Sequence, residues 1–170
     1  MSGHYSGVLV WDPKDGSVLC VSDSSHEEEE KMAGGMSTGD ELPEETARRE
    51  AIEELRTQIL ETTLVYVQEM RGKSGVHVRY FYLVDQYTGA LEKGTTWKIE
   101  EKDADGKVLE KLIAKWLPIR EFADKLFYRQ HPAFGAMLGK LASRDVNFLH
   151  NYRDLIERFP EPEDLGLKRG

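Results

Sequence analysis

Three glutamates, Glu50, Glu53 and Glu54, stand at a spacing that a helix would turn into a crowded acidic stripe. At roughly 100° per residue they fall within an arc of about 100°, with Ala51 and Leu55 on the other side. Bare carboxylates held that close repel one another, so the stripe costs stability unless it is fully solvated or binds cations. Hard divalent ions such as Mg²⁺ or Mn²⁺ prefer such oxygen ligands, and Mg²⁺ keeps positions open for water and substrate phosphate. Taken alone, a glutamate-rich helix face is an ordinary solvated surface. The preceding loop changes the balance. Gly34, Gly35 and Gly39 let the backbone turn tightly and approach a ligand just before a helix begins.

The elements that must position this stripe are readable around it. From Pro43 to about Arg56 the pattern is helical: Pro43 suits the first turn, Glu44 and Glu45 favour the positive end of the helix dipole, and Ala47, Ala51 and Leu55 recur every four residues. Ahead of it, 6–11 and 17–22 are short β-rich runs joined by the turn residues Asp12, Pro13, Lys14, Asp15 and Gly16. Behind it, 62–70 and 76–85 predict two strands joined across 71–75, and 97–101 and 107–116 predict a second hairpin around Asp103, Ala104, Asp105 and Gly106. Beyond Pro118 the chain turns helical, over 119–126, 132–141 and 146–159. The acidic run Glu27 to Glu30 reads as a solvated loop, with metal recruitment a minor reading. Without regular strand–helix alternation, an α/β sandwich with a mixed sheet fits best.

Composition narrows the setting. The 170 residues suit one domain with a modest helical extension. With 39% hydrophobic and 32% charged residues and no apolar run of membrane length, no membrane partner is expected. Met1 to Val10 lack the basic-then-apolar pattern of a secretory leader, and the single Cys20 cannot form an internal disulfide, so the expected setting is reducing and cytoplasmic. A net charge of −8 argues against broad nucleic-acid binding, which needs a basic surface to displace counterions. It leaves room for a small polyphosphate, because cations held between carboxylates and ligand reverse the local field. The five histidines show no zinc-like spacing with Cys20.

The stretch from Gly34 to Thr57 resembles the Nudix box: a glycine, five residues, a glutamate, seven residues, then Arg-Glu, an apolar residue, any residue, Glu-Glu, any residue, glycine and an apolar residue. Gly35, Glu41, Arg49, Glu50, Ala51, Glu53 and Glu54 fall at the required spacings. Weaker likeness extends to the Gly34–Gly35 pair and to a Trp-x-Pro strand exit at Trp116, Leu117 and Pro118. Arg56 stands where the family has glycine, Thr57 where it has an apolar residue, and Ala33 where many members have proline. Since that glycine ends the helix in a left-handed cap, a longer or differently terminated helix is expected here.

The resemblance implies a Nudix-like α/β/α sandwich over 1–127, leaving the helices over 128–160 as an extension expected to pack on the same domain, while proline and charge predict a mobile tail over 161–170. It implies Mg²⁺ or Mn²⁺ on Glu50, Glu53, Glu54 and the Gly35 carbonyl, with Glu41 and Arg49 as a structural ion pair. The implied activity is hydrolysis of a diphosphate linkage in a nucleoside-diphosphate-linked or nucleoside triphosphate substrate by metal-activated water. Glu50 and Glu53 are the catalytic candidates, Glu53 as in-box base, and Glu100, Glu101 and Glu110 are later candidates for base or ligand. Arg71, Lys73 and Arg79 could grip phosphate, although exposed cations are usually just solvated. Trp11, Tyr80 and Tyr82 could stack on a base but more often fill a core. Two other readings compete: a Nudix-fold sensor without turnover, which Arg56 slightly favours, and an interaction domain using Phe134, Met137, Leu138 and Leu141, a stripe that more often packs on its own core. A homodimer is the expected assembly.

Overall fold

The structure, a computed structural model, describes residues 3–26, 28–73 and 75–162. Glu27 of the acidic run, and 163–170 of the expected tail, lie outside the described residues. Among them, eight strands form one mixed sheet in the order β5-β6-β1-β2-β8-β7, with two short strands, β3 and β4, on β2 and β1. In chain order these are β1 (His4–Asp12), β2 (Ser17–Asp23), β3 (Glu30–Lys31), β4 (Ala33–Met36), helix α1 (Pro43–Leu55), β5 (Gln58–Gly72), β6 (Gly75–Thr88), β7 (Trp97–Lys102) and β8 (Val108–Pro118). The helices α2 (Ile119–Lys125), α3 (His131–Arg144), α4 (Val146–Asn151) and α5 (Arg153–Arg158) follow. β1 runs parallel to β6, and every other pairing is antiparallel.

Strand alternation splits the apolar residues into two layers. Val8 and Val10 of β1, Leu19 and Val21 of β2, and Tyr82 and Val84 of β6 face Ala47, Ala51 and Leu55 of α1. Leu9, Val18, Cys20, Phe81 and Leu83 point the other way, against Phe122, Phe134, Met137, Leu138, Phe148 and Leu155 from the later helices. This is an α/β/α sandwich. The Phe134, Met137, Leu138 stripe packs on the domain's own core, as do Trp11, against Phe148 and Tyr152, and Tyr82.

Three expectations need correction. Glu30 is not in a solvated loop: it is fully buried on β3, with the Lys115 ammonium 2.7 Å from its carboxylate. The expected helix over 146–159 breaks at Tyr152, whose ring packs against Trp11, Phe148 and the Arg120 guanidinium. Lastly, α1 is neither longer nor differently ended. Arg56 itself adopts the left-handed conformation (φ 55°, ψ 30°), and the N–H groups of Arg56 and Thr57 turn back onto the carbonyls of Ile52 and Ala51. An L-residue there costs about 1–2 kcal/mol. The Arg56 guanidinium lies 4.5 Å from the centroid of the Trp97 ring, a contact of about 0.5–1 kcal/mol that offsets part of the strain.

Candidate functional site

Helix α1 is fastened at its start by the Ser6 hydroxyl, which donates to the Pro43 carbonyl (2.8 Å), and by Glu45, which accepts from the Leu42 N–H (2.8 Å). β4 lies antiparallel on β1, pairing Gly34 with Gly7 and Gly35 with Ser6. Two glycines permit the close packing. A Cβ on Gly34 would overlap the Ser6 carbonyl and the Tyr5 hydroxyl, and one on Gly35 would overlap the Glu50 carboxylate. The box glycines thus serve less to make a turn than to let a carboxylate lie against the backbone.

The three glutamates of the stripe do not share one environment. Glu50 and Glu54 are only 4% and 3% exposed, on the edge of the buried face of α1, whereas the Glu53 side chain is 50% exposed. Glu54 Oε1 accepts the Gly34 N–H (3.1 Å). Glu50 Oε1 accepts from Arg49 (2.9 Å), while Glu50 Oε2 is buried without a hydrogen-bond partner among the described residues. A third carboxylate comes from outside the box. Glu101 on β7 places an oxygen so that one ligand atom each from Glu50, Glu54 and Glu101 lie within 4.8 Å of one another.

Burial raises the pKa of Glu50, an effect that Arg49 opposes. Glu54 is pushed well above the ordinary carboxylate range by burial and then by the charge of Glu50. Glu110, opposite Glu101 in the β7–β8 pairing, is raised by burial and by Glu101. Arg49 beside Glu50 and Lys31 near Glu110 offset these shifts only in part.

Arg49 is the hub of the α1 side. It forks onto Glu41 (2.7 and 3.1 Å) and donates to Glu50 (2.9 Å), Glu53 (3.1 Å) and the Met36 carbonyl (2.9 Å). Glu41 also accepts from the Thr38 N–H and the Thr46 hydroxyl. The Arg49 bond, followed by the Thr38 N–H, holds its pKa down to about 2. The Glu41–Arg49 pair therefore ties the β4–α1 loop to the helix and also orients two glutamates of the stripe.

These groups open onto a cleft of about 600 Å³, lined by Gly34, Gly35, Arg49, Glu50, Glu53 and Glu54 on one side and Glu101, Lys102, Glu110 and Leu112 on the other, with Tyr5, Lys31 and Met32 on its floor and rim. Glu100 does not line it and lies 3.9 Å from Lys102. Arg71 and Lys73 sit at the exposed end of the β5–β6 hairpin, outside the cleft lining, and Arg71 faces Glu69 at 3.7 Å. Arg79 is one residue removed: its guanidinium lies 5.2 Å from the centroid of the cleft-lining Tyr5 ring, and its Nε is buried without a hydrogen-bond partner among the described residues. Lys31 and Lys102 are the cations that sequence reasoning missed. Their only signal is adjacency, Lys31 just ahead of the box and Lys102 next to Glu101.

A NUDIX domain family model matches residues 3–137. The chain belongs to the Nudix family. No curated relative matches it in sequence. Among solved structures it is similar to the ORF135 protein of E. coli (17% identity, 84% of this chain and 92% of that one, TM-score 0.60). It is also similar to a MutT from a study of Aliivibrio salmonicida and Vibrio cholerae (17% identity, 77% and 92%, TM-score 0.55). A third is the MutT protein of Bacillus halodurans (15% identity, 82% and 80%, TM-score 0.53). At such identities the likeness is one of fold, and the Nudix sandwich is the scaffold on which the carboxylate cleft stands.

Proposed function

We propose that this Nudix chain is a metal-dependent hydrolase that cleaves the diphosphate linkage of a nucleoside-diphosphate-linked or nucleoside triphosphate substrate. The observation that carries the reading is the meeting of Glu50, Glu54 and Glu101 at the cleft, with a buried Glu50 oxygen left unpartnered beside Gly35. That donor set, hard oxygens only, with the Gly35 carbonyl and Glu53 close by, fits Mg²⁺ or Mn²⁺. When bound, the ion supplies charge neutralisation for the diphosphate and activation of water.

The chain's own residues do the rest. Lys31 and Lys102 at the rim attract and orient the phosphates. Arg49 keeps Glu50 and Glu53 in fixed rotamers through its short bonds to both. Water attacks phosphorus and the anhydride P–O bond breaks, giving a nucleoside monophosphate together with pyrophosphate from a triphosphate, or with the phosphorylated partner moiety from a diphosphate-linked substrate. The proton from water passes to a carboxylate. Glu53 is the in-box acceptor, exposed to the cleft, and Glu110 is the other, favoured by its raised pKa next to Glu101. Arg56, the departure that slightly favoured a non-catalytic sensor, closes the helix in the left-handed form a glycine would take, so the cap leaves the carboxylates of the box in place.

The test is release of phosphate or monophosphate from a panel of nucleoside triphosphates, dinucleoside polyphosphates, ADP-ribose and nucleotide sugars, with Mg²⁺ or Mn²⁺ and with a chelator. Turnover of at least one compound, abolished by the chelator, is expected. Mn²⁺ binding at the carboxylates with no turnover across the panel would return the chain to the sensor reading.

A further inference from the structure

We propose that Arg56, standing where the family pattern has glycine, is a positioning residue for Glu101: its guanidinium pins the Trp97 ring, and through strand β7 that pin holds the Glu101 carboxylate over α1. The inference rests on the metal-site reading above and deepens it.

β7 is the last strand of the sheet and pairs with β8 alone. Alternate residues of a strand share a face, so Trp97, Ile99 and Glu101 lie on one side. Trp97 and Ile99 are half-buried against the α1-side core, and the rest of the strand is exposed. The pairing shifts register between Glu101 and Lys102, which loosens the ladder at the point where the carboxylate must be placed. Glu101 meanwhile brings a carboxylate oxygen within 4.8 Å of those of Glu50 and Glu54, a crowding that mutual repulsion opposes whenever the groups are charged. An edge strand under that repulsion needs a hold on the helix.

The Arg56–Trp97 stack is such a hold. Among the described residues the buried Trp97 indole N–H has no hydrogen-bond partner, so stacking and apolar packing fix the ring. The left-handed backbone at Arg56 turns the chain at the end of α1 so that the guanidinium covers Trp97. Glycine would make the same turn with nothing to reach across.

The test compares the wild type with Arg56→Gly and with Trp97→Leu, which keeps an apolar side chain and removes the aromatic face. Mn²⁺ affinity is measured by electron paramagnetic resonance, and backbone amide exchange over 98–102 is measured without metal. Arg56→Gly should melt no lower than the wild type, bind Mn²⁺ about 10-fold more weakly, and exchange faster in β7 with α1 unchanged. Trp97→Leu should show the same loss of affinity and the same local exchange. In a Glu101→Gln background, Arg56→Gly should cost no further Mn²⁺ affinity. Wild-type affinity and unchanged β7 exchange in Arg56→Gly would overturn the proposal, as would a full loss persisting without Glu101. A wild-type chain that binds no Mn²⁺ would defeat the metal-site reading instead, and β7 exchange would then decide the pin by itself.

Discussion

The α1 side of the cleft and the β7 side differ in how many independent bonds hold them. On the α1 side, Arg49 bonds four groups, Glu54 is bonded to the Gly34 backbone, and Glu50 lies against Gly35 with no room for a Cβ. On the β7 side, Glu101 hangs from an edge strand paired once and stacked once. The buried half fixes geometry and also bears on stability. The edge half brings the third carboxylate of the proposed ligand set and, being mostly exposed, should contribute little to the fold. Substitutions should sort the same way, with α1-side changes altering both melting and metal affinity and β7-side changes altering affinity alone.

The largest effect is expected at the centre of the rigid half. Glu54→Gln or Glu50→Gln should lower turnover on the order of 10³-fold with the fold retained by circular dichroism; full activity in both would sink the assignment. Gly35→Ala should follow at about 100-fold, because its methyl group would displace the Glu50 carboxylate and small misplacements carry that cost. Arg49→Ala should destabilise the chain by about 2 kcal/mol, less than for a fully buried pair because Arg49 is partly exposed. That corresponds to a drop in melting temperature of roughly 4–8 °C, and an unchanged melting curve would remove the distinction between the two halves.

Glu101→Gln should weaken Mn²⁺ about 10-fold at constant melting temperature, whereas Glu100→Gln should change neither; equal effects would show that strand alternation does not select the ligand. The smallest effect is on pH dependence. Glu50 and Glu54 have carboxyls raised above the ordinary value of 4.5, chiefly by burial. Their contribution to stability is fully present below 4.5 and is lost as pH rises through the folded values. The metal-free chain should therefore melt lower at about pH 8 than at about pH 5, while the gain from Mg²⁺ grows over the same interval because protons and cation compete. Glu41, held to about 2, acts in the opposite sense only between 4.5 and 2, outside that interval.

How much of this was visible in the residues follows the same division. Helix α1, the three hairpins and the Trp-x-Pro strand exit can be read directly, because their periodicity and turn chemistry are local. β3 and β4 cannot, being too short for a period-2 pattern, and the burial of Glu30 depends on Lys115, a residue remote in sequence. Glu101 could not be chosen over Glu100 and Glu110, since the choice depends on which face of β7 turns toward α1. The left-handed cap at Arg56 is not legible either, because the Trp97 ring that offsets its strain is remote in sequence. Box chemistry is local; completing it is tertiary.

The parallel pairing of β1 with β6 carries a consequence for how the molecule assembles. His4 lies opposite Val78 and Val10 opposite Val84, so the central strand and its parallel neighbour are separated in the chain by four strands and a helix. Closing so large a loop loses chain entropy before the pairing repays it, so in refolding followed by amide protection the β1–β6 pairing should form later than the β1–β2 hairpin. A fragment ending before β6 would leave Val8, Leu9 and Val10 without that neighbour, and the floor beneath Gly34 and Gly35 would not form.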